Sequence, residues 1–119
     1  MDIETFRDYC LQQKGVTEEL PFGPDNLVFK VQGKMFALAS LDEIPLRVNL
    51  KCDPEEAISL RDQYPNNILP GYHMSKTHWN TVILDGMLPQ SMIFRLTKNS
   101  YDLVVQGLSK KLQKDLEDL

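Results

Sequence analysis

The stretch LRVNLKC, residues 46–52, alternates apolar and polar side chains without a break and runs straight into DPEEAISLRDQYP. Leu46, Val48, Leu50 and Cys52 share one parity, and Arg47, Asn49 and Lys51 share the other. A period of two is a β-strand with one face in a core and one in water. Asp53 then supplies a helix cap, Pro54 fits the first turn, and Glu55 and Glu56 complement the positive end of the helix dipole. Ala57, Leu60 and Tyr64, with Ile58 beside them, give that helix an apolar side, and Tyr64-Pro65 stops it. A half-wet strand leading into an amphipathic helix points to a sheet covered on one side.

The rest of the chain agrees. MDIETFRDYCLQQKG reads as a helix with Ile3, Phe6 and Cys10 in its stripe, Lys14 at its negative end and Gly15 as its cap. PFGPDN (21–26) is turn chemistry. LVFKVQGKMFALASL (27–41) predicts a hairpin turning at Gln32-Gly33. With 46–52 it makes three strands in an antiparallel meander. Two further extended segments are expected near 71–74 and 78–84, ending at Asp85-Gly86. The remainder, from Pro89, is helical to the end, with Asn99-Ser100 as a possible bend and a charged tail expected to fray. Strands and helices come in blocks, so the predicted class is α+β: one two-layer domain over 1–119, α-β(3)-α-β(2)-α, its antiparallel sheet carrying helices on one face.

Apolar residues make up 42% of the chain and charged residues 25%, ordinary values for a globular domain. The longest apolar runs, such as MFALASL at 35–41, fall far short of the about 20 residues that span a bilayer. The first ten residues are acidic where a secretory leader needs bases. A cytoplasmic setting and no membrane partner are therefore expected. Cys10 and Cys52 form no close pair and are expected as buried thiols.

Net charge is −4, which argues against bulk attraction to polyanions. Between Leu27 and Cys52, however, Lys30, Lys34, Arg47 and Lys51 face only Asp42 and Glu43, so four minus two leaves a local charge of +2. The uncovered face of the meander could thus gather a basic surface. PGYHMSKTHWNT (70–81) holds both histidines, the single tryptophan, a lysine and no acid. On its strand either His78 and Asn80 or Trp79 and Thr81 face outward, because alternation forbids all four. Signals for catalysis are weak. His73 and His78 lack the second close ligand pair of a zinc site. Cys52 has core parity, unsuited to a nucleophile. No glycine-rich phosphate loop follows a strand, so neither cofactor nor metal is expected.

PFGPDNLVFKVQGKMFAL, LKCDPEEAISLRDQYP, PGYHMSKTHWNTVILDG and SYDLVV, in that order, resemble the MmcQ/YjbR family of small bacterial proteins over nearly the whole chain. The resemblance implies the α-β(3)-α-β(2)-α fold, similar to type III secretion chaperones, and a predicted DNA-binding role with strands as a double wing. It carries no catalytic residues. It draws interest to Lys30, Lys34, Lys51, His73, Lys76, His78, Trp79 and Asn80. Within 70–81 and just after it, Tyr72, Met74, Trp79 and Val82 are expected as core or corner residues on their own chemistry.

The expectation is a non-catalytic binding protein, its oligomeric state open with a monomer favoured. In the first version Lys30, Lys34, Arg47, Lys51 and Lys76 contact DNA phosphates. In a second the chain is a chaperone-like module that engages another protein. In a third Asn49, His73, His78, Trp79 and Asn80 surround a small ligand, which requires a pocket with a buried polar lining.

Overall fold

A computed structural model describes all residues, 1–119. The helices are α1 (Ile3–Gln12), α2 (Pro54–Gln63), α3 (Gln90–Gln106) and α4 (Lys110–Glu117). The strands are β1 (Val16–Glu19), β2 (Asn26–Val31), β3 (Lys34–Ser40), β4 (Leu46–Lys51), β5 (Ile68–Pro70) and β6 (Trp79–Leu84). They form one sheet in the order β1-β2-β3-β4-β6-β5, every neighbouring pair antiparallel.

Local chemistry sets the boundaries. Asp2 caps α1 by accepting from the Thr5 amide at 2.8 Å, and Asp53 caps α2 by accepting from the Glu56 amide at 3.2 Å. Gln32 and Gly33, at φ 49° and 77°, both take the left-handed conformation of a primed hairpin turn.

Register separates the two faces. Ala39 pairs with Val48, and Val48 with Val82, while Ala37 pairs with Leu50. These side chains, with Phe29 and Ile68, meet Phe6 and Cys10 of α1, Ala57 and Leu60 of α2, and Ile93, Leu96 and Val104 of α3 in one core. All helices lie on that side, as the alternation in 46–52 predicts. Both thiols are buried and free. No helix is long and apolar enough to cross a membrane.

Four local expectations need correction. Strand β1, the sequence VTEE, was not foreseen, because one apolar residue among four carries no readable period. It forms on the edge of β2 and is tied to α1 by a forked ion pair, with Arg7 Nε donating to Glu18 at 2.7 Å. That guanidinium holds the Glu18 carboxyl below its usual range. Such a group stabilises the fold above its unfolded pKa and loses that contribution as pH falls through its folded pKa. Glu18→Gln should therefore lower stability slightly at neutral pH, the pair being largely solvated. Melting curves of the two proteins should converge in acid.

The strand expected near 71–74 is instead β5 at 68–70. Its ladder continues as far as the Gly71 amide, which donates to Trp79 O at 2.9 Å. The next amide, of Tyr72, turns to the Thr81 side chain, and His73 adopts a left-handed φ of 59°. The chain thus leaves the sheet and crosses its uncovered face. The last helix breaks at Gly107–Ser109, not at Asn99-Ser100, and Ser109 caps α4. The tail forms α4 as far as Glu117, with Leu116 buried against Gly15, where even a Cβ would lie 2.5 Å from Leu116 Cδ1.

Candidate functional site

The face away from the helices is built from rungs fixed by the register. Asn26 pairs with Ser40 and Ser40 with Arg47. One step along, Val28 pairs with Leu38, Leu38 with Asn49, and Asn49 with Thr81. Alternation turns both rows to this side. The second row is not wet, as the parity argument implied. Val28, Leu38, Asn49 and Thr81 are all buried, because segment 71–78 and the turn after β1 close over the sheet.

Two hydrogen bonds fasten 71–78 to the floor, and a third ties the two floor residues that make them to each other. Asn49 Nδ2 donates to Tyr72 O at 3.1 Å, the Tyr72 amide donates to Thr81 Oγ1 at 3.0 Å, and the Thr81 hydroxyl donates to Asn49 Oδ1 at 2.6 Å. From the helical side Arg61 of α2 donates to Lys76 O and, from Nε, to Asn80 Oδ1 at 2.7 Å.

Between these parts lies a half-open cleft of about 710 Å³. Its floor is Met35, Leu38, Asn49 and Thr81. Asn26, Ser40 and Arg47 cross it as a polar rung. Phe22 and Asp25 come from the β1–β2 turn, Asp42 and Glu43 from the β3–β4 turn, and Tyr72, His73 and Met74 from the covering segment. The acids share one end: the Leu41 amide donates to Asp25 O at 2.7 Å and the Glu43 amide to Ser40 O at 3.3 Å.

The rung has unmet hydrogen-bonding capacity. Asn49 and Thr81 are satisfied within the protein, but Arg47 Nε is shielded from solvent with no partner. Its nearest anion, Glu43 Oε2, lies 4.0 Å away, too far for a hydrogen bond.

Of the residues proposed from sequence as site residues, the structure brings Arg47, Asn49 and His73 into this cleft; Tyr72 and Met74, expected as core or corner residues, line it too, and Tyr72 is exposed rather than in the core. The other bases do not join them. Lys30 is paired with Glu19 and sits opposite Met35, five residues or about 15 Å along β3 from the rung of Arg47. Lys34 lies at the hairpin tip, and Lys51 is four residues from Arg47 toward the same end of the sheet. Lys76 is on the covering segment, its Nζ 3.4 Å from Gly71 O. Trp79 and Thr81 face the uncovered side. Asn80 faces the helices, 2% exposed, and its Nδ2 donates to Ala57 O at 3.4 Å. His78 is exposed and outside the cleft, with its carbonyl accepting from the Cys52 amide at 2.8 Å.

Burial pushes the Cys52 thiol up to about 11 and Cys10 higher still, so neither is a ready nucleophile. No three His, Cys, Asp or Glu side chains gather closely enough to share a metal ion.

Sequence reasoning passed over Phe22, Asp25, Asn26, Met35, Ser40, Asp42 and Glu43 as site residues. Ser40 and Asn26 had a findable signal, since they share the outward parity of their strands.

The family model described as YjbR matches residues 11–103. The chain is 40% identical over 112 residues to the uncharacterised protein YbdF of Escherichia coli O157:H7, covering 93% of this chain and 90% of that one. It is 34% identical to the uncharacterised protein YjbR of Escherichia coli K12 over the full length of both. Among solved structures, Deinococcus radiodurans protein DR2400 superposes with a TM-score of 0.92 at 39% identity, covering 97% of this chain and 87% of that one. A Pseudomonas syringae protein superposes at 0.71 with 29% identity, covering 87% and 98%.

Proposed function

The chain belongs to the YjbR family, and from its cleft we propose that it is a non-catalytic binding protein whose ligand is a small amphipathic molecule held on the uncovered face of the sheet. The carrying observation is the cleft of about 710 Å³ in which a polar rung lies beside the apolar side chains of Met35, Leu38, Phe22, Tyr72 and Met74. Ligand sites of small molecules typically measure about 300–1,000 Å³ and combine apolar walls with a few placed polar groups. A cytoplasmic setting belongs to the proposal and accords with two free thiols.

DNA on the same face is the rival reading, and Lys30, Lys34 and Lys51 at one end of the sheet favour it. Two features count against it. Lys30 is already paired with Glu19, and Asp25, Asp42 and Glu43 line the cleft beside Arg47, where they would repel phosphates. A protein partner would instead use exposed apolar groups such as Phe22, Ile44 and Met87.

A fragment screen by amide NMR tests the proposal. Binders should move the amides of Ser40, Arg47, Asn49 and Thr81, and Ser40→Phe, which fills the cleft, should weaken them at least about tenfold. Hits scattered over the surface, or hits indifferent to Ser40→Phe, would reject it. Salt-sensitive shifts at Lys30, Lys34 and Lys51 with short duplex DNA would favour the rival.

A further inference from the structure

We infer that the cleft's ligand is a free α-amino acid with an apolar side chain, gripped as a zwitterion by Arg47 and Glu43. This rests on the cleft being a ligand site. Arg47 and Glu43 present a cation and an anion side by side, 4.0 Å apart and not hydrogen-bonded to each other. An α-amino acid carries an ammonium and a carboxylate on a single carbon, at comparable spacing and in complementary order. Its carboxylate would meet the exposed part of the guanidinium, whose planar fork suits a carboxylate and whose side chain is 40% exposed at the cleft. Its ammonium would meet Glu43 and the neighbouring Asp42.

Charge balance narrows the class. Three carboxylates, Asp25, Asp42 and Glu43, face one guanidinium in the cleft. A ligand bearing only negative charge would place it among like charges, a costly arrangement that works as rejection. A ligand bearing only positive charge would set that charge against the guanidinium and offer it no acceptor. Ser40 and Asn26, on the same rung, make no side-chain hydrogen bond within the protein and can complete the carboxylate's shell. Beyond the charged end, Leu38, Met35 and Met74 with the rings of Phe22 and Tyr72 offer apolar surface for a side chain.

Titration of the full chain, followed by amide NMR, compares L-phenylalanine with its two halves: 3-phenylpropionate, which lacks the ammonium, and phenethylamine, which lacks the carboxylate. Phenylalanine should shift Ser40 and Arg47, and each half-molecule should bind at least about tenfold more weakly, the loss expected for one charge-assisted hydrogen bond. Glu43→Gln should weaken phenylalanine by a similar factor while sparing or improving 3-phenylpropionate. A merely structural role for Glu43 would not produce that split. Arg47→Met should weaken phenylalanine and spare phenethylamine. Equal binding of a half-molecule, or loss of every ligand alike in Glu43→Gln, overturns the inference. So does failure of phenylalanine, leucine and methionine alike to shift the cleft. If fragments still bind there, the ligand site stands and only the zwitterion falls; if nothing small binds, both fall.

Discussion

Replacing Phe36 by alanine should destabilise the protein by about 3–5 kcal/mol, the range for deleting a buried phenyl ring. Against a total stability of about 5–15 kcal/mol this is a large fraction, and the melting temperature should fall by about 10–20 °C. Phe36 is fully buried, edge-on to Tyr101 with ring centroids 5.4 Å apart at 90°. It also stands at the irregularity where the β2–β3 register shifts between Phe29 and Lys30. The pairing of β3 with β4 stops one residue away, at Ala37 opposite Leu50. There the Ser100 hydroxyl of α3 takes over the ladder: it donates to Phe36 O at 2.5 Å and accepts from the Lys51 amide at 2.8 Å. Emptying the ring's volume therefore removes packing at the one place where a helix side chain joins two strands. Phe36→Leu, which keeps most of the volume, should cost less than about 1.5 kcal/mol. Urea unfolding, read through far-ultraviolet circular dichroism and the fluorescence of Trp79, measures both. A loss below about 1 kcal/mol for Phe36→Ala would show that the core collapses around the missing ring, contrary to the close packing assumed here.

Asn49→Leu should cost about 2–3 kcal/mol, and its effect should be local to the cleft. Asn49 is 7% exposed and Thr81 2% exposed, and with the backbone of Tyr72 they form a closed cycle of three hydrogen bonds. A leucine fills the space but neither donates to Tyr72 O nor accepts from the Thr81 hydroxyl. The buried Thr81 hydroxyl and the part-buried Tyr72 carbonyl then lose their partners, which is more damaging than the absence of the bonds alone. Segment 71–78 should loosen from the sheet. Hydrogen exchange at the Tyr72 amide should speed up by at least about tenfold, and cleft ligands should weaken together with it. Thr81→Val breaks the same cycle from the other side, so the double variant should cost less than the sum of the two. Additive losses, or unchanged exchange at Tyr72, would mean that the cycle does not hold the covering segment.

Much of the scaffold was legible because it rests on contacts between residues near in sequence. The parity of 46–52 placed Val48 and Leu50 in the core and Arg47 and Asn49 opposite. Asp53-Pro54 marked the start of α2, and Gln32-Gly33 marked the hairpin turn. Where local signal was thin, reading failed: VTEE pairs only because β2 offers an edge, and the 71–78 segment leaves the ladder only because Thr81, nine residues on, captures the Tyr72 amide.

Residue chemistry alone thus determined a one-sided antiparallel sheet, the helix starts and which strand faces share a side, since alternation and capping act over a few residues. The site was decided by tertiary structure. Asn26, Ser40 and Arg47 become one rung only through strand register, and Asp25, Asp42 and His73 meet only because three separate turns converge over it. Counting charges along the chain gathered the lysines with Arg47, whereas the folded sheet sets Lys30, Lys34 and Lys51 toward one end, away from Arg47, and puts acids beside the arginine. Proximity across strands depends on register summed over the whole sheet, and no short stretch of sequence encodes that sum.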